Sequence, residues 1–402
     1  MSTALTAFEK RLRRRIAGRE QKFFTVVAPG LEPVCMEELG RLGVAAGDLH
    51  PEAGGVGFRG KLPLLYEANL HLRTAGRILM RITAFTAATF TRLGTAAGAV
   101  DWDLYLKPGQ PVLIHVTTRQ CRLYHTGAVA ERLQQTIDRR IGTTTAVDAL
   151  AGQGIIQRLF VRGASDRFTV SLDSSGPLLH KRGPKRLVGQ APLRETLAAA
   201  ALIMAGHRPG APLVDPMCGS GTFSLEAAMM AARIPAGWYR DFAFFGWPCF
   251  SAPAWAHIRR TILAQIDAQP GPPQIFASDI RADAVTALSQ VAAQMGVKGR
   301  MALAVRDFFS VDGAAVPQGP GTVVLNPPYG LRLGRRIDVR QDYPRIRDHL
   351  REAFPGWRAA IFCPADAVSA FTGLGLRETR VPHGGLRLIL FTGLLPGLVR
   401  NS

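Results

Sequence analysis

Asn326, Pro327, Pro328 and Tyr329 follow one another directly after the apolar run Val323–Leu325. The carboxamide of Asn326 carries an acceptor oxygen. The prolines stiffen the loop, because each fixes its own φ and restricts the residue before it. Tyr329 adds a flat aromatic face. A carboxamide, rigid carbonyls and an aromatic plate suit a planar substrate that bears an amino group. A proline-rich loop that merely ends a strand has the same local sequence, so the surrounding elements must decide. The run Thr322–Leu325 reads as a buried strand of a parallel sheet, and the prolines must end it because neither can donate to a ladder. Asn326 then stands at a strand's carboxyl end, where open α/β sheets bind ligands.

A second constellation lies upstream. Leu213-Val214 leads into Asp215-Pro216-Met217-Cys218-Gly219-Ser220-Gly221-Thr222, and a helix is expected over 222–232. Strand, acid, GxG and helix in that order mark a ligand loop, with Gly219 and Gly221 letting backbone approach the ligand closely. The complete GxGxxG spacing is missing, since Thr222, Phe223 and Ser224 follow, so a nucleoside without a pyrophosphate fits better than a dinucleotide. Asp279 ends the next expected strand, 275–278, where an acid can accept both ribose hydroxyl hydrogens. Asp307 ends the strand after that, 302–305, within reach of a base amino group. Each aspartate alone reads first as a helix cap; their succession after two strands favours a ligand. Phe308 could stack near the base or pack in the core.

These residues fall in a stretch from residue 191 onward where helices and strands alternate, the pattern of a wound parallel sheet. Helices are expected at 193–204, opened by Pro192, and at 282–295 and 343–354, with late strands at 359–362 and 386–391. The segment 234–273 interrupts the order with Trp238, Tyr239, Phe242, Phe244, Phe245, Trp247 and Trp255, either a base-stacking patch or, the favoured reading, a packed subdomain. The front half is α+β. Strands are expected at 23–28, 56–58, 78–85, 111–117, 158–161 and 167–172, and helices at 31–42, 64–73 and 128–140.

The chain has 402 residues, 47% of them hydrophobic, and a formal net charge of +19. It is therefore globular, with a surface suited to a polyanion. The cations cluster in several places. Lys10, Arg11, Arg13, Arg14, Arg15 and Arg19 read as a frayed basic helix or arm, or a solvated tail. Arg119 and Arg122, beside Tyr124 and with Arg139 and Arg140, are candidates for contacts that position a phosphate backbone without reading sequence. So are Lys181, Arg182, Lys185 and Arg186 in a Gly/Pro-rich linker, and Arg332, Arg335 and Arg336 after the Asn-Pro-Pro-Tyr loop. Solvated charge is the alternative for each group. The five dispersed cysteines contain no CxxC pair, which predicts neither a metal site nor a disulfide framework and suits a reducing cytoplasm. No apolar run approaches a membrane span, and the basic N-terminus lacks the apolar region of a signal peptide.

Asn326–Tyr329 resembles motif IV of amino-group methyltransferases that use S-adenosylmethionine, and the loop 215–222 resembles their motif I. The segments FFTVVAPGLEPVCMEELGRLG, GGVGFRG and LDSSGPLLHKRG resemble the THUMP-containing RNA methyltransferases, above all those that methylate the guanine amino group of large-subunit ribosomal RNA. That resemblance implies a Rossmann-like S-adenosylmethionine methyltransferase domain preceded by α+β ferredoxin-like and THUMP domains. The expected division is a basic arm at 1–20, a ferredoxin-like domain at 21–63, an RNA-binding THUMP domain at 64–173, a basic linker at 174–190 and the catalytic domain at 191–402, in the form with one methyltransferase domain. It implies a cofactor site built from Asp215, Pro216, Cys218, Gly219, Ser220, Gly221, Asp279, Asp307 and Asn326, and catalysis by Asn326, Pro327, Pro328 and Tyr329 on a flipped guanine, without a metal. Two departures stand out: Pro184 follows HKRG where relatives have an aromatic, and Leu331 replaces a glutamate. Transfer-RNA guanine methylation is the near alternative, and a non-catalytic RNA-binding assembly factor is the alternative from another class. Motif IV also serves DNA adenine and protein glutamine methyltransferases, against which the front half argues.

Overall fold

The computed structural model describes residues 6–142, 155–183, 193–267, 271–311, 320–327, 339–383 and 386–397. The chain forms two compact units. One comprises Met1–Val27, Met36–Leu179 and Arg240–Ile262; the other comprises Ala28–Cys35, His180–Tyr239 and Leu263–Ser402.

The first unit is built on a seven-stranded sheet. Its strands are β1 (Gln21–Val26), β2 (His50–Glu52), β3 (Gly55–Gly60), β4 (Arg77–Thr86), β5 (Val112–Arg119), β6 (Gln157–Ala164) and β7 (Arg167–Asp173). The order across the sheet is β2-β3-β1-β4-β7-β6-β5. Only β5 and β6 run parallel, and helix Thr126–Ile141 lies between them in sequence, as a parallel crossover requires. The end of β7 is tied down by side chains. Ser174 Oγ donates to the Ile78 carbonyl at 2.7 Å, Ser175 Oγ donates to Asn69 Oδ1 at 2.7 Å, and Asn69 Nδ2 donates to Ser174 Oγ at 2.9 Å. Burial makes each of these polar groups depend on its partner. The Asp-Ser-Ser of the LDSSG segment is thus a buried joint.

The aromatic insertion packs rather than presenting its rings. Phe242, Phe244 and Trp247 are each at most 2% exposed. Phe244 stacks on Tyr66 with ring centroids 4.6 Å apart, and Trp247 Nε1 donates to Gln157 Oε1 at 2.9 Å. A helix at Ala252–Leu263 continues the segment.

The N-terminal segment is not a frayed arm. Helix Ala7–Leu12 carries a capping box between Thr6 and Glu9 and continues into a π-helical turn, Arg13–Ala17. Ile16 is 1% exposed. One well-placed apolar residue among cations is enough to dock the segment, a contact that charge density in the sequence hides.

The second unit is a wound sheet. Its strands are β8 (Leu213–Asp215), β9 (Ile275–Asp279), β10 (Met301–Val305), β11 (Thr322–Leu325), β12 (Arg358–Pro364), β13 (Arg377–His383) and β14 (Leu386–Leu394). The order is β10-β9-β8-β11-β12-β14-β13. The first five run parallel, β14 runs antiparallel to β12, and β13 antiparallel to β14. Val324, Ala360 and Phe362 enter one core cluster, while Val323, Leu325, Ala359 and Ile361 enter another. Alternation along a strand puts the two clusters on opposite faces, which is why β11 is apolar at every position.

Two sequence expectations need correction. The first helix of this unit starts at Glu195, with Arg194 as its cap, so Pro192 does not open it; Pro192 itself lies outside the described residues. Strand β13 was not anticipated. It is an edge strand with Arg377, Glu378 and Arg380 along it; such charges protect an edge but erase the hydrophobic signal.

Candidate active site

The strand order of the second unit reverses between β8 and β11. At such a switch point the loops leave their strands in opposite directions and open a crevice at the carboxyl ends. The loop after β8 and the Asn326-Pro327 turn after β11 both start there. Val323 pairs with Val214 in register, so Asn326 and the 216–221 loop emerge from neighbouring strands at the same end, with strands about 4.8 Å apart.

The loop is held from beneath. Asp215 is 1% exposed, and its Oδ2 accepts from Ser224 Oγ at 2.6 Å. That oxygen of its carboxylate therefore orients the start of helix Thr222–Ala231. Cys218 N donates to the Ser278 carbonyl at 2.9 Å, and Gly219 N donates to Asp279 Oδ2 at 2.8 Å. These bonds lay the loop along the end of β9. Cys218 is buried. Burial, and then the charges of Asp215 and Asp279, push its thiol above the ordinary range, so it is not a nucleophile.

The two glycines do different work. Both are left-handed, with φ of +50° at Gly219 and +71° at Gly221. A Cβ at Gly219 would meet nothing within 4 Å, whereas one at Gly221 would lie 2.2 Å from Leu288 Cδ1. Gly219 thus has open space on its Cβ side, whereas the missing Cβ of Gly221 admits Leu288 of helix Ala282–Gln294.

Asp279 is half-buried, and its carboxylate takes one hydrogen bond on each oxygen, from Gly219 N and from Arg281 N at 3.0 Å. Each oxygen has two acceptor sites, so the side chain retains room for two hydroxyl donors. Asp307 is exposed and caps the short turn Phe308–Ser310, with Phe309 N donating to Oδ1 at 3.0 Å. Phe308 is 2% exposed and packs edge-on to His349 with centroids 4.7 Å apart, so it is a core residue. Ser220 Oγ lies 3.1 Å from Thr222 Oγ1. Asn326 is half-buried and Pro327 is buried. Pro328, Tyr329, Leu331, Arg332, Arg335 and Arg336 lie outside the described residues, as do Pro184, Lys185 and Arg186.

Sequence reasoning missed Ile280. It directly follows Asp279 and is 69% exposed, a bare apolar side chain at the carboxyl end of β9. An isoleucine directly after a strand-ending acid was the available signal.

Several cation assignments change. Arg182 is 3% exposed, and its Nε donates to Glu226 Oε1 at 2.8 Å, with Glu226 1% exposed. It is an internal ion pair and not an RNA contact; Lys181 beside it is exposed. Arg119 and Arg122 are exposed at the end of β5, although Arg122 also grips Asp166 through Nε at 2.7 Å. Tyr124 is 65% exposed and rests on His125 at 4.1 Å. Arg139 and Arg140 sit at the far end of helix Thr126–Ile141. At 1.5 Å per residue that end is roughly 20 Å away, so the five residues do not form one cluster.

These strand ends carry an open glycine, an acid with spare acceptors and an exposed apolar neighbour, parts that a nucleoside site uses. Residues 182–384 match the family model described as RMKL-like, methyltransferase domain. The chain belongs to this methyltransferase family. Residues 22–79 match the RlmL ferredoxin-like domain. A relative in Synechocystis sp., "Putative RNA methyltransferase", is 34% identical over 90% of this chain and 94% of its own length. The ribosomal RNA large subunit methyltransferase K/L of Methylococcus capsulatus is 33% identical over 84% of this chain, which spans only 46% of that relative. The solved structure "SMU.472, a putative methyltransferase complexed with SAH" superposes with a TM-score of 0.81 at 26% identity, covering 94% of this chain and 98% of that one. The fold is thus a ferredoxin-like N-terminal part with a Rossmann-like methyltransferase, and S-adenosylmethionine is the cofactor its pocket serves. Among the described residues, no helix is long and apolar enough to cross a membrane.

Proposed function

We propose that this chain methylates the exocyclic N2 amine of a guanine in RNA, with large-subunit ribosomal RNA as the substrate. The observation that carries the reading is the position of Asn326-Pro327 at the carboxyl end of buried β11, on the strand next to the glycine loop. The cofactor, when bound, supplies an electrophilic methyl group on a sulfonium. Gly219 would offer its backbone, Asp279 would accept hydrogen bonds from the ribose hydroxyls, Asp307 would accept one from the adenine amino group, and Ile280 would supply an apolar contact to the base.

A base inside a helix cannot reach the strand ends, so the guanine leaves its stack. Tyr329 stacks on it. Asn326 Oδ1 and the Pro327 carbonyl accept the two amino hydrogens and turn the nitrogen lone pair toward the methyl group. An exocyclic amine is a poor nucleophile because its lone pair is conjugated into the ring. Fixed acceptors raise its reactivity through orientation and preorganised polarity. The front unit, with a THUMP domain over 64–173, and Arg119, Arg122 and Lys181 hold the phosphate backbone. Lys185, Arg186, Arg332, Arg335 and Arg336 are assigned the same role from sequence.

The test compares a strain lacking the gene with its parent. Ribosomal and transfer RNA are digested separately and methylated nucleosides are quantified by mass spectrometry. Loss of N2-methylguanosine from large-subunit RNA is the expected result. Loss from transfer RNA alone would move the substrate to that molecule. No loss in either, together with no labelled methyl transfer by the purified protein, would overturn the catalytic reading.

A further inference from the structure

The N-terminal segment, which the catalytic reading does not use, is built with more restraint than a solvated tail needs. Its helix is capped at the start by Thr6 and Glu9. Arg11 is ion-paired with Asp103, which fixes the helix to the first unit at one point, and buried Ile16 fixes it at a second. The π-helical turn closes with Gly18 N donating to the Arg13 carbonyl at 2.8 Å, where an added Cβ on Gly18 would stand 2.8 Å from that same oxygen. Gln21 Nε2, at the start of β1, reaches back to the carbonyls of Ile16 at 3.1 Å and Arg15 at 3.2 Å. π-Helical turns inside helices are often found at functional sites.

What this scaffold presents is a recess of about 540 Å3 lined by Lys10, Arg13, Arg14, Gly18 and Arg19. All four cations are exposed. Among the described residues none of the four has an ion-pair partner, whereas Arg11, which does not line the recess, does. No acid lines the recess. Four like charges held around one concavity repel one another unless an anion sits among them. Flexible tails avoid this by spreading; here a π-turn, a glycine and a glutamine hold the backbone in place.

We infer that this recess is a docking surface for RNA backbone phosphates, one that positions the substrate by charge and without reading bases. The inference rests on the RNA reading above. Phosphate contacts of this kind fix register and supply the salt-dependent part of affinity. The surface therefore acts on substrate capture and leaves the chemistry at Asn326 alone.

The test is the full-length variant Lys10→Gln/Arg13→Gln/Arg14→Gln/Arg19→Gln, in which glutamine preserves helix propensity. Its binding to transcribed large-subunit ribosomal RNA is measured over a series of salt concentrations, beside an equal-charge control at four exposed positions elsewhere, Arg208→Gln/Arg233→Gln/Arg260→Gln/Lys298→Gln. Each lost phosphate contact makes the slope of log K against log salt shallower by about 0.7–0.9. The recess variant is expected to lose roughly 3 units of slope, with a higher KM for RNA, unchanged kcat and unchanged cofactor affinity. An unchanged slope overturns the inference. An equal loss in the control also overturns it, because the effect would then belong to net charge. A variant that loses stability and keeps its slope overturns it in favour of cations that only support a helix C-terminus. Labelled methyl transfer by the unmodified protein is read in the same experiment. Its absence with an intact slope effect would refute the catalytic reading and leave the docking surface standing.

Discussion

Replacing Arg182 by Met keeps most of the side-chain stem and removes the charge, leaving Glu226 buried at 1% exposure with its carboxylate 2.8 Å from where the guanidinium stood. At an effective dielectric near 20 the lost attraction is roughly 6 kcal/mol. Desolvation of the two ions, several kcal/mol each, offsets that gain in the intact protein, so the pair contributes little net stability. Breaking it from one side is different, because the buried carboxylate remains without this cation; the expected loss is about 3–5 kcal/mol. Arg182→Met/Glu226→Leu removes both charges and should return to within about 1 kcal/mol of the parent or exceed it. The single variant also carries a pH signature. A buried carboxylate that loses a neighbouring cation has its pKa raised, so it binds a proton in the folded state that the unfolded state releases. Its deficit should shrink toward pH 5 and grow toward pH 8. Because the chain has two compact units, a single melting curve is a poor assay. Hydrogen exchange of peptides from helix Thr222–Ala231 reports the affected unit directly. Unchanged exchange in Arg182→Met, with weakened RNA binding instead, would refute the ion-pair reasoning and restore Arg182 as a phosphate contact.

Asn326→Ala should lower methyl transfer below detection while cofactor affinity, read by equilibrium dialysis, stays within about twofold; full activity in that variant would sink the proposed mechanism. Gly221→Ala should destabilise the second unit by roughly 2–4 kcal/mol, from left-handed strain plus the overlap with Leu288. Gly219→Ala should lose only about 1–2 kcal/mol and weaken cofactor binding instead; denaturant midpoints and dialysis separate the two. His207 lies 3.0 Å from Thr322 Oγ1 through Nδ1, and burial, with Arg358 nearby, lowers its pKa to about 4. The folded state thus stays neutral while the unfolded state protonates below its usual value, so stability is complete above pH 6.5 and falls as pH drops toward 4. The loss is on the order of 3 kcal/mol, and His207→Gln should flatten urea midpoints across that window.

The chemistry-bearing loops were legible because their signals are local. A strand broken by Asn-Pro-Pro and a strand that runs through Asp into GxG each place a loop at a sheet's carboxyl end, and alternation of elements from residue 191 onward supplied the sheet. Element borders followed from apolar periodicity to within a few residues. Three things were decided only by tertiary structure. Gly219 and Gly221 look alike in sequence, yet Leu288, some 67 residues downstream of Gly221, divides their roles. Arg182 and the cations Lys10, Arg13, Arg14 and Arg19 are equally basic in composition, yet Glu226 buries one and a π-turn around Ile16 leaves the others bare. The aromatic run 242–255 reads as a possible base platform until Tyr66 and Gln157 are seen to fill its contacts. Backbone preferences and apolar period act between neighbours in sequence, so a sequence carries them openly. The partner of a charge, a ring or a missing Cβ is chosen by packing between distant segments, and only the fold brings that partner into contact.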